Sequence, residues 1–235
     1  FDYFISDFEK YDYSKYPTLC VYTNGSFFDS KEIPNNIRKK ILKTISKEEK
    51  IKEVVFESLP KYVNDEKIKE VAKILEGKKV IVSLGLDIND DIKRTLLNKD
   101  LVIPDFNSAI GILKKYSIDF CPFICVKPPF LTEGEAIETA KDTIKFAIDS
   151  GANHLSLEPV TLQKHTVQDH LNQNNLYRVS YLWTLVELVR FACDYAKDKD
   201  VKIKIGGEFF TPIPYEFAHN CKECNNRIIE LIHKY

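Results

Sequence analysis

Methionine is missing altogether from the 235 residues, position 1 included. An average composition of this length makes that improbable, so the expectation is a fragment of a longer protein, or a sequence from which methionines have been lost. An excess of either charge is missing too: 34 Lys and Arg stand against 35 Asp and Glu, a formal net charge of −1. That balance does not announce a nucleic-acid partner, although a local basic patch is compatible with it. No apolar run is long enough to cross a bilayer and no signal-peptide pattern opens the chain, which argues against a membrane partner and for a cytoplasmic protein. A regular cysteine framework is also absent. The thiols at Cys20, Cys121, Cys125, Cys193, Cys221 and Cys224 are irregularly spaced, and a chain this long with 44% hydrophobic residues buries a core without disulfide staples. They read as reduced, some of them candidate ligands.

What is there is an alternation of short apolar runs with amphipathic stretches. Leu19 to Tyr22 is a buried strand that stops in Asn24-Gly25-Ser26, small residues that let backbone approach a ligand. Val54 to Phe56 ends in Glu57 and Ser58, and Val80 to Leu86 ends in Asp87. Cys121 to Val126 runs into Lys127-Pro128-Pro129, where two prolines fix extended backbone. His154 to Leu157 ends in Glu158, and Val201 to Ile205 in Gly206-Gly207. Between them, helical periodicity covers about 34–50, 64–75 with Asn64 as its cap, 90–98, 105–116, 132–148 with a Thr132/Glu135 capping box, and 183–195. Strand and helix alternate with short connections and no linker. The economical fold is therefore one α/β domain, a parallel sheet that is open or barrel-like.

In a parallel array the strand C-termini share one edge, and that edge would gather Asn24, Gly25, Ser26, Glu57, Asp87, Lys127 and Glu158. Carboxylates suit ribose hydroxyls or an ammonium group, lysine suits a carboxylate or phosphate, and glycine admits a close ligand. Plainer roles are open to each: Glu57 and Asp87 as helix caps, Lys127 as a partner of Glu133. Five consecutive strand ends of this kind favour a polar small-molecule site.

Tyr22-Thr23-Asn24-Gly25-Ser26-Phe27-Phe28-Asp29, then Phe56-Glu57-Ser58-Leu59-Pro60, then Leu84-Gly85-Leu86-Asp87-Ile88-Asn89-Asp90 resemble the half that follows the cluster motif in radical S-adenosylmethionine (SAM) enzymes of the elongator-type class. Lys127-Pro128-Pro129-Phe130-Leu131-Thr132-Glu133, Glu158-Pro159-Val160 with Gln163 and Lys164, Tyr177-Arg178, and His219-Asn220-Cys221-x-x-Cys224 narrow the resemblance to the radical SAM subunits of archaeosine synthases. It implies an α/β partial (β/α)6 TIM-like barrel over 1–207, with 208–235 a cysteine-containing extension packed on it.

By the same resemblance SAM would bind against a 4Fe-4S cluster. Asn24, Gly25 and Ser26 would take its amino group and Asp87 its ribose; the strand ends at Lys127-Pro128 and Glu158 would flank its adenine, with Glu57 on the same edge. Gln163, Lys164, Tyr177 and Arg178 would meet substrate. The implied reaction cleaves a lysine-modified 7-deazaguanine in tRNA to archaeosine through a 5′-deoxyadenosyl radical, with the transferase subunit of archaeosine synthase as the partner that recognises RNA. Residues 1–15 hold no cysteine, so the cluster ligands are expected upstream of Phe1. Leu59 stands where members tend to have arginine, so a SAM carboxylate contact is expected from elsewhere. The alternatives are another nucleoside-modifying radical SAM enzyme, of the wobble-uridine type, and a non-catalytic nucleotide- or RNA-binding barrel.

Three readings stand apart. Cys221-x-x-Cys224 with His219 has the spacing of half a zinc or iron site, balanced against two ordinary thiols at a helix start. Cys20, Cys121, Cys125 and Cys193 read as core residues. The Gln- and Asn-rich segment around His165 and His170 suits RNA base edges as well as a solvated helix, while Tyr181 and Trp183 are expected to pack against the barrel.

Overall fold

The computed structural model describes residues 1–22, 25–99, 102–206, 213–221 and 223–232. Among them six strands form one sheet in the simple order β1-β2-β3-β4-β5-β6. They are β1 (Thr18–Val21), β2 (Glu53–Ser58), β3 (Lys79–Asp87), β4 (Asp119–Val126), β5 (His154–Pro159) and β6 (Lys202–Ile205). The pairings β1/β2, β2/β3, β4/β5 and β5/β6 are parallel. Sequential order with a helix in each crossover is what parallel strands demand, because a hairpin cannot join them. The chain divides into two compact units, Phe1–Gly85 with Leu101–Cys121, and Leu86–Asp100 with Pro122–Tyr235.

In the first unit β2 is the apolar centre. Val54, Val55 and Phe56 are buried, as expected for a strand covered on both faces. Helix α1 (Asp2–Phe8) precedes β1, and α2 (Asn35–Lys47) buries Ile41, Leu42 and Ile45, the four-residue recurrence legible in the sequence. Helix α3 (Asp65–Ile74) starts on Asn64, whose side chain accepts from the Lys67 amide at 3.0 Å. Phe27 stacks on Phe56 with ring centroids 4.3 Å apart, and Phe28 meets Phe27 edge-on. The Phe27–Phe56 stack ties the turn that follows β1 to the end of β2.

The second unit begins with the end of β3 and the short helix α4 (Asp91–Leu96). Helix α5 (Ile103–Lys115) belongs to the first unit. Helix α4 carries Arg94, buried to 1% exposure, which donates from Nη2 to the Leu86 carbonyl at 2.9 Å. Helix α6 (Glu133–Asp149) opens with the expected capping box, Thr132 and Glu135 each satisfying the other's backbone amide. Its Ala140, Ile144 and Ala147 stripe is buried, as are Leu185, Leu188 and Ala192 of α8 (Leu182–Tyr195). Helix α7 (Val167–Gln173) is capped by Thr166, and α9 (Asn225–Ile232) ends the described residues.

Three expectations are corrected here. Trp183 and Tyr181 do not pack inward: they are 55% and 42% exposed, because the buried stripe of α8 runs through Leu185, Leu188 and Ala192 instead. Cys20 is exposed rather than part of the core, since β1 alternates between exposed and half-buried positions. Not all thiols are reduced, because Cys221 and Cys224 are joined as a disulfide.

Candidate functional site

Each unit places polar groups at its strand ends. In the first, Asn24 lies outside the described residues, but the turn behind it is well defined. Ser26 is fully buried; its amide donates to Glu32 Oε2 at 2.7 Å and its Oγ accepts from the Leu59 amide at 2.7 Å. The Phe27 amide donates to the Glu57 carbonyl at 2.9 Å, so the turn is stitched to the end of β2. Gly25 is required by close approach: a Cβ there would lie 2.6 Å from Glu32 Cδ. The Gly25-Ser26 backbone thus cradles a carboxylate of this chain, Glu32, which sequence reasoning passed over. Glu57 is half-buried at the end of β2.

The second unit holds a tighter constellation. Asp87, last residue of β3, has a left-handed backbone with φ 57°, and Lys127, just past β4, has φ 60°. Such φ values are uncommon outside glycine and cost about 1–3 kcal/mol each, and they concentrate where a fold must aim a side chain or a peptide group. Asp87 accepts from Lys99 Nζ at 3.2 Å. Glu158 on β5 accepts from Ser156 Oγ at 2.6 Å, and its carboxylate lies over Gly206, where a Cβ would overlap it. Burial raises the Glu158 pKa above the ordinary glutamate range; the Ser156 hydrogen bond opposes that shift and the charge of Asp87 adds to it. The half-buried Cys125 thiol is pushed up to about 12, by burial first, with Asp87 and Glu158 adding and Lys99 opposing. Asp87, Lys99, Cys125 and Glu158 therefore form one electrostatic neighbourhood. A pair of carboxylates offers acceptors to vicinal hydroxyls.

Lys127 and Pro128 are both buried, and Lys127 is committed within the protein. Its Nζ donates to the Leu131 carbonyl at 2.9 Å and sits 4.6 Å from the Tyr177 ring centroid, while Tyr177 Oη donates to the Lys127 carbonyl at 2.6 Å. Burial lowers its pKa. Its suggested partner Glu133 instead accepts from the Tyr181 amide at 3.0 Å and from the Thr184 hydroxyl.

The four candidate substrate residues separate. Lys164 is exposed and lines an open cavity of about 650 Å³ with His165, His170 and Gln173. Gln163 is half-buried, its carbonyl accepting from Thr166 Oγ1 at 2.8 Å. Tyr177 is buried against Lys127. Arg178 lies over Tyr181, its Cζ 3.5 Å from the ring centroid, and donates to the His219 carbonyl at 3.1 Å. Of the candidate metal ligands, Cys221 and Cys224 are bonded to each other, and His219 turns to Arg178 and the Phe217 carbonyl. Among the described residues no group of three or more His, Cys, Asp or Glu could hold a metal ion, so the zinc or iron expected at His219, Cys221 and Cys224 finds no support there.

No family model matches the chain. It is 32% identical over 173 residues to archaeosine synthase subunit beta of Thermococcus kodakarensis, covering 73% of this chain and 53% of that protein. Against archaeosine synthase subunit beta of Methanosarcina acetivorans it is 28% identical over 226 residues, covering 94% of this chain and 63% of the relative. The chain thus spans between half and two thirds of these relatives. Elp3 of the archaeon Methanocaldococcus infernus, solved with its N-terminus deleted, shares the fold with a TM-score of 0.70 at 17% identity, over 93% of this chain and 53% of that one. The expected α/β class is the one found, a six-stranded sheet in sequential order with the fold of Elp3.

Proposed function

We propose that this chain, an archaeosine synthase subunit beta-like protein with the fold of Elp3, is the barrel of a radical SAM enzyme that modifies tRNA. The observation that carries this reading is the strand-end constellation of the second unit: left-handed Asp87 with Lys99, electrostatically coupled to Glu158 over Gly206. The adenosyl end of SAM needs acceptors for two ribose hydroxyls and a face without side-chain bulk for its base. Asp87 and Glu158 supply the acceptors, so the residues present fit the ribose of that group. Bound there, SAM would supply the adenosyl group on which the proposed radical chemistry depends.

The roles assigned to this chain are binding and orientation. Asp87 accepts from the ribose, with Lys99 holding its carboxylate in place. Glu158, in the same electrostatic neighbourhood, would accept from the second hydroxyl. Lys127, tied to Tyr177, shapes the end of β4 that would hold the adenine. Ser26 and Gly25 are assigned a supporting role, since the Ser26 amide is already taken by Glu32. For an iron–sulfur cluster the described residues do not fit: Cys20, Cys121, Cys125 and Cys193 form no group with the required count, and no step is assigned to them through it. The cluster ligands are expected in the part of the relatives that this chain does not span. The reaction proposed is cleavage of a lysine-modified 7-deazaguanine in tRNA to archaeosine, in concert with a transferase subunit.

The test is anaerobic reconstitution of the full-length protein with iron, sulfide, reductant and SAM, followed by chromatography for 5′-deoxyadenosine and mass spectrometry of nucleosides from lysine-modified tRNA. The expected result is 5′-deoxyadenosine and archaeosine, with SAM affinity about tenfold or more weaker in Asp87→Ala, the range for losing a hydrogen bond to a charged acceptor. A cluster-loaded preparation that leaves SAM uncleaved would end the radical assignment.

A further inference from the structure

The cavity beside α7 is not used by the cofactor reading. At about 650 Å³ it has the size of a ligand site, and its lining includes Lys164, His165, His170, Gln173 and Tyr215. One lining residue is acidic, and it faces inward: Asp169 is buried and accepts from Tyr215 Oη at 2.7 Å, Gln173 Nε2 at 2.8 Å and the His165 amide at 2.7 Å. Those three bonds commit the carboxylate to the frame. They also fix the loop, because His165 is held at φ 67°, a left-handed backbone that a non-glycine residue keeps only when its surroundings enforce it. Tyr215, pushed up to about 12 by its bond to Asp169, keeps its proton and remains a rigid donor. The groups left to a ligand are one ammonium and two imidazoles, beside the Gln173 carbonyl oxygen.

This set is positive but not merely so. A lysine alone recognises any anion, whereas imidazole and amide groups present planar edges that match nucleobases in hydrogen bonding and stacking. We infer that this cavity takes one nucleotide of an RNA strand, the phosphate at Lys164 and the base against the imidazole and amide groups. The inference rests on the tRNA reading above and locates part of its RNA contact on the barrel itself, rather than wholly on a partner subunit. An acidic peptide would satisfy Lys164 but leave the planar groups unused.

The experiment is fluorescence anisotropy of a labelled tRNA transcript across a salt series, on the unaltered protein and on Lys164→Ala, Lys164→Arg and His170→Ala. Both positions are exposed, and thermal melts check that the variants fold. Lys164→Ala should flatten the dependence of log K on log salt by about 0.7, the value for one phosphate contact on a single strand, with Lys164→Arg restoring it. His170→Ala should weaken RNA about fivefold or more through lost stacking. Unchanged affinity and slope in both alanine variants would overturn the inference, as would a glutamate-rich peptide that displaces RNA where a mononucleotide does not. If the unaltered protein binds no RNA the inference also falls, while SAM binding measured on the same preparation decides the cofactor reading separately.

Discussion

Substituting alanine for Gly206 is the sharpest probe of the strand-end constellation. A methyl group at that position would overlap the carboxylate of Glu158, meeting both its oxygens and Cδ. The backbone of Gly206 is not left-handed, so alanine adds no strain of its own, and the group that must yield is the far end of a flexible side chain. Glu158 therefore swings away and leaves Ser156 Oγ, losing one hydrogen bond to a charged acceptor worth about 1.5–3 kcal/mol. Because burial disfavours the carboxylate where it now lies, its release into water returns part of that, and the net loss of stability should stay under about 3 kcal/mol. Binding has no such compensation. If Glu158 contacts the ribose, SAM should bind about tenfold more weakly, and the penalty should vanish when Gly206→Ala is made on a Glu158→Ala background. Isothermal titration of SAM with a thermal melt of each of the four proteins completes the cycle. Equal penalties on both backgrounds would show that the methyl group acts by some route other than Glu158, and the argument for that carboxylate would fail.

Glu158→Gln should alter the pH profile of stability. A carboxyl whose folded pKa is raised stabilises the fold at acid pH and loses that contribution as pH climbs from the unfolded glutamate value through the raised one; urea melts from pH 4 to 8 should show that decline in the unaltered protein and less of it in the variant. Arg94→Ala removes a fully buried side chain and one of the two donors to the Leu86 carbonyl, and should cost about 2–4 kcal/mol in urea denaturation; a change under about 1 kcal/mol would mean the site collapses without loss. Tyr177→Phe deletes the donor to the buried Lys127 carbonyl and should cost about 1–3 kcal/mol in the same assay, whereas Trp183→Ala, on an exposed face, should stay within about 0.5 kcal/mol.

What the sequence disclosed were features whose cause is local. Asn64 caps α3 through an amide three residues on, and Thr132 with Glu135 box the start of α6, so spacing alone was enough. Strand ends were legible because an apolar run stops on Asp87 or Lys127 whatever the rest of the fold does. The partners of those residues were not, since Lys99 is 12 residues from Asp87 and Tyr177 is 50 from Lys127. Glu32 was missed for a related reason: its carboxylate folds back onto Ser26 within a single turn, and nothing in the composition of that turn distinguishes it from a solvated acid. Trp183 was placed inward because α8 is apolar on more than one face, and periodicity could not choose among them. The pairing of Cys221 with Cys224 was hidden by the same spacing that suggested metal.

The hold that Tyr177 keeps on Lys127 has a mechanical meaning. Its ring lies by the ammonium while its hydroxyl grips the peptide carbonyl of the same residue, so backbone and side chain are seized together. The segment from 163 to 177 starts just beyond β5 and finishes at this latch. The peptide so held has φ 60°, an unfavoured conformation at the end of β4, so freeing the latch would release backbone and ammonium together at the lip of the sheet.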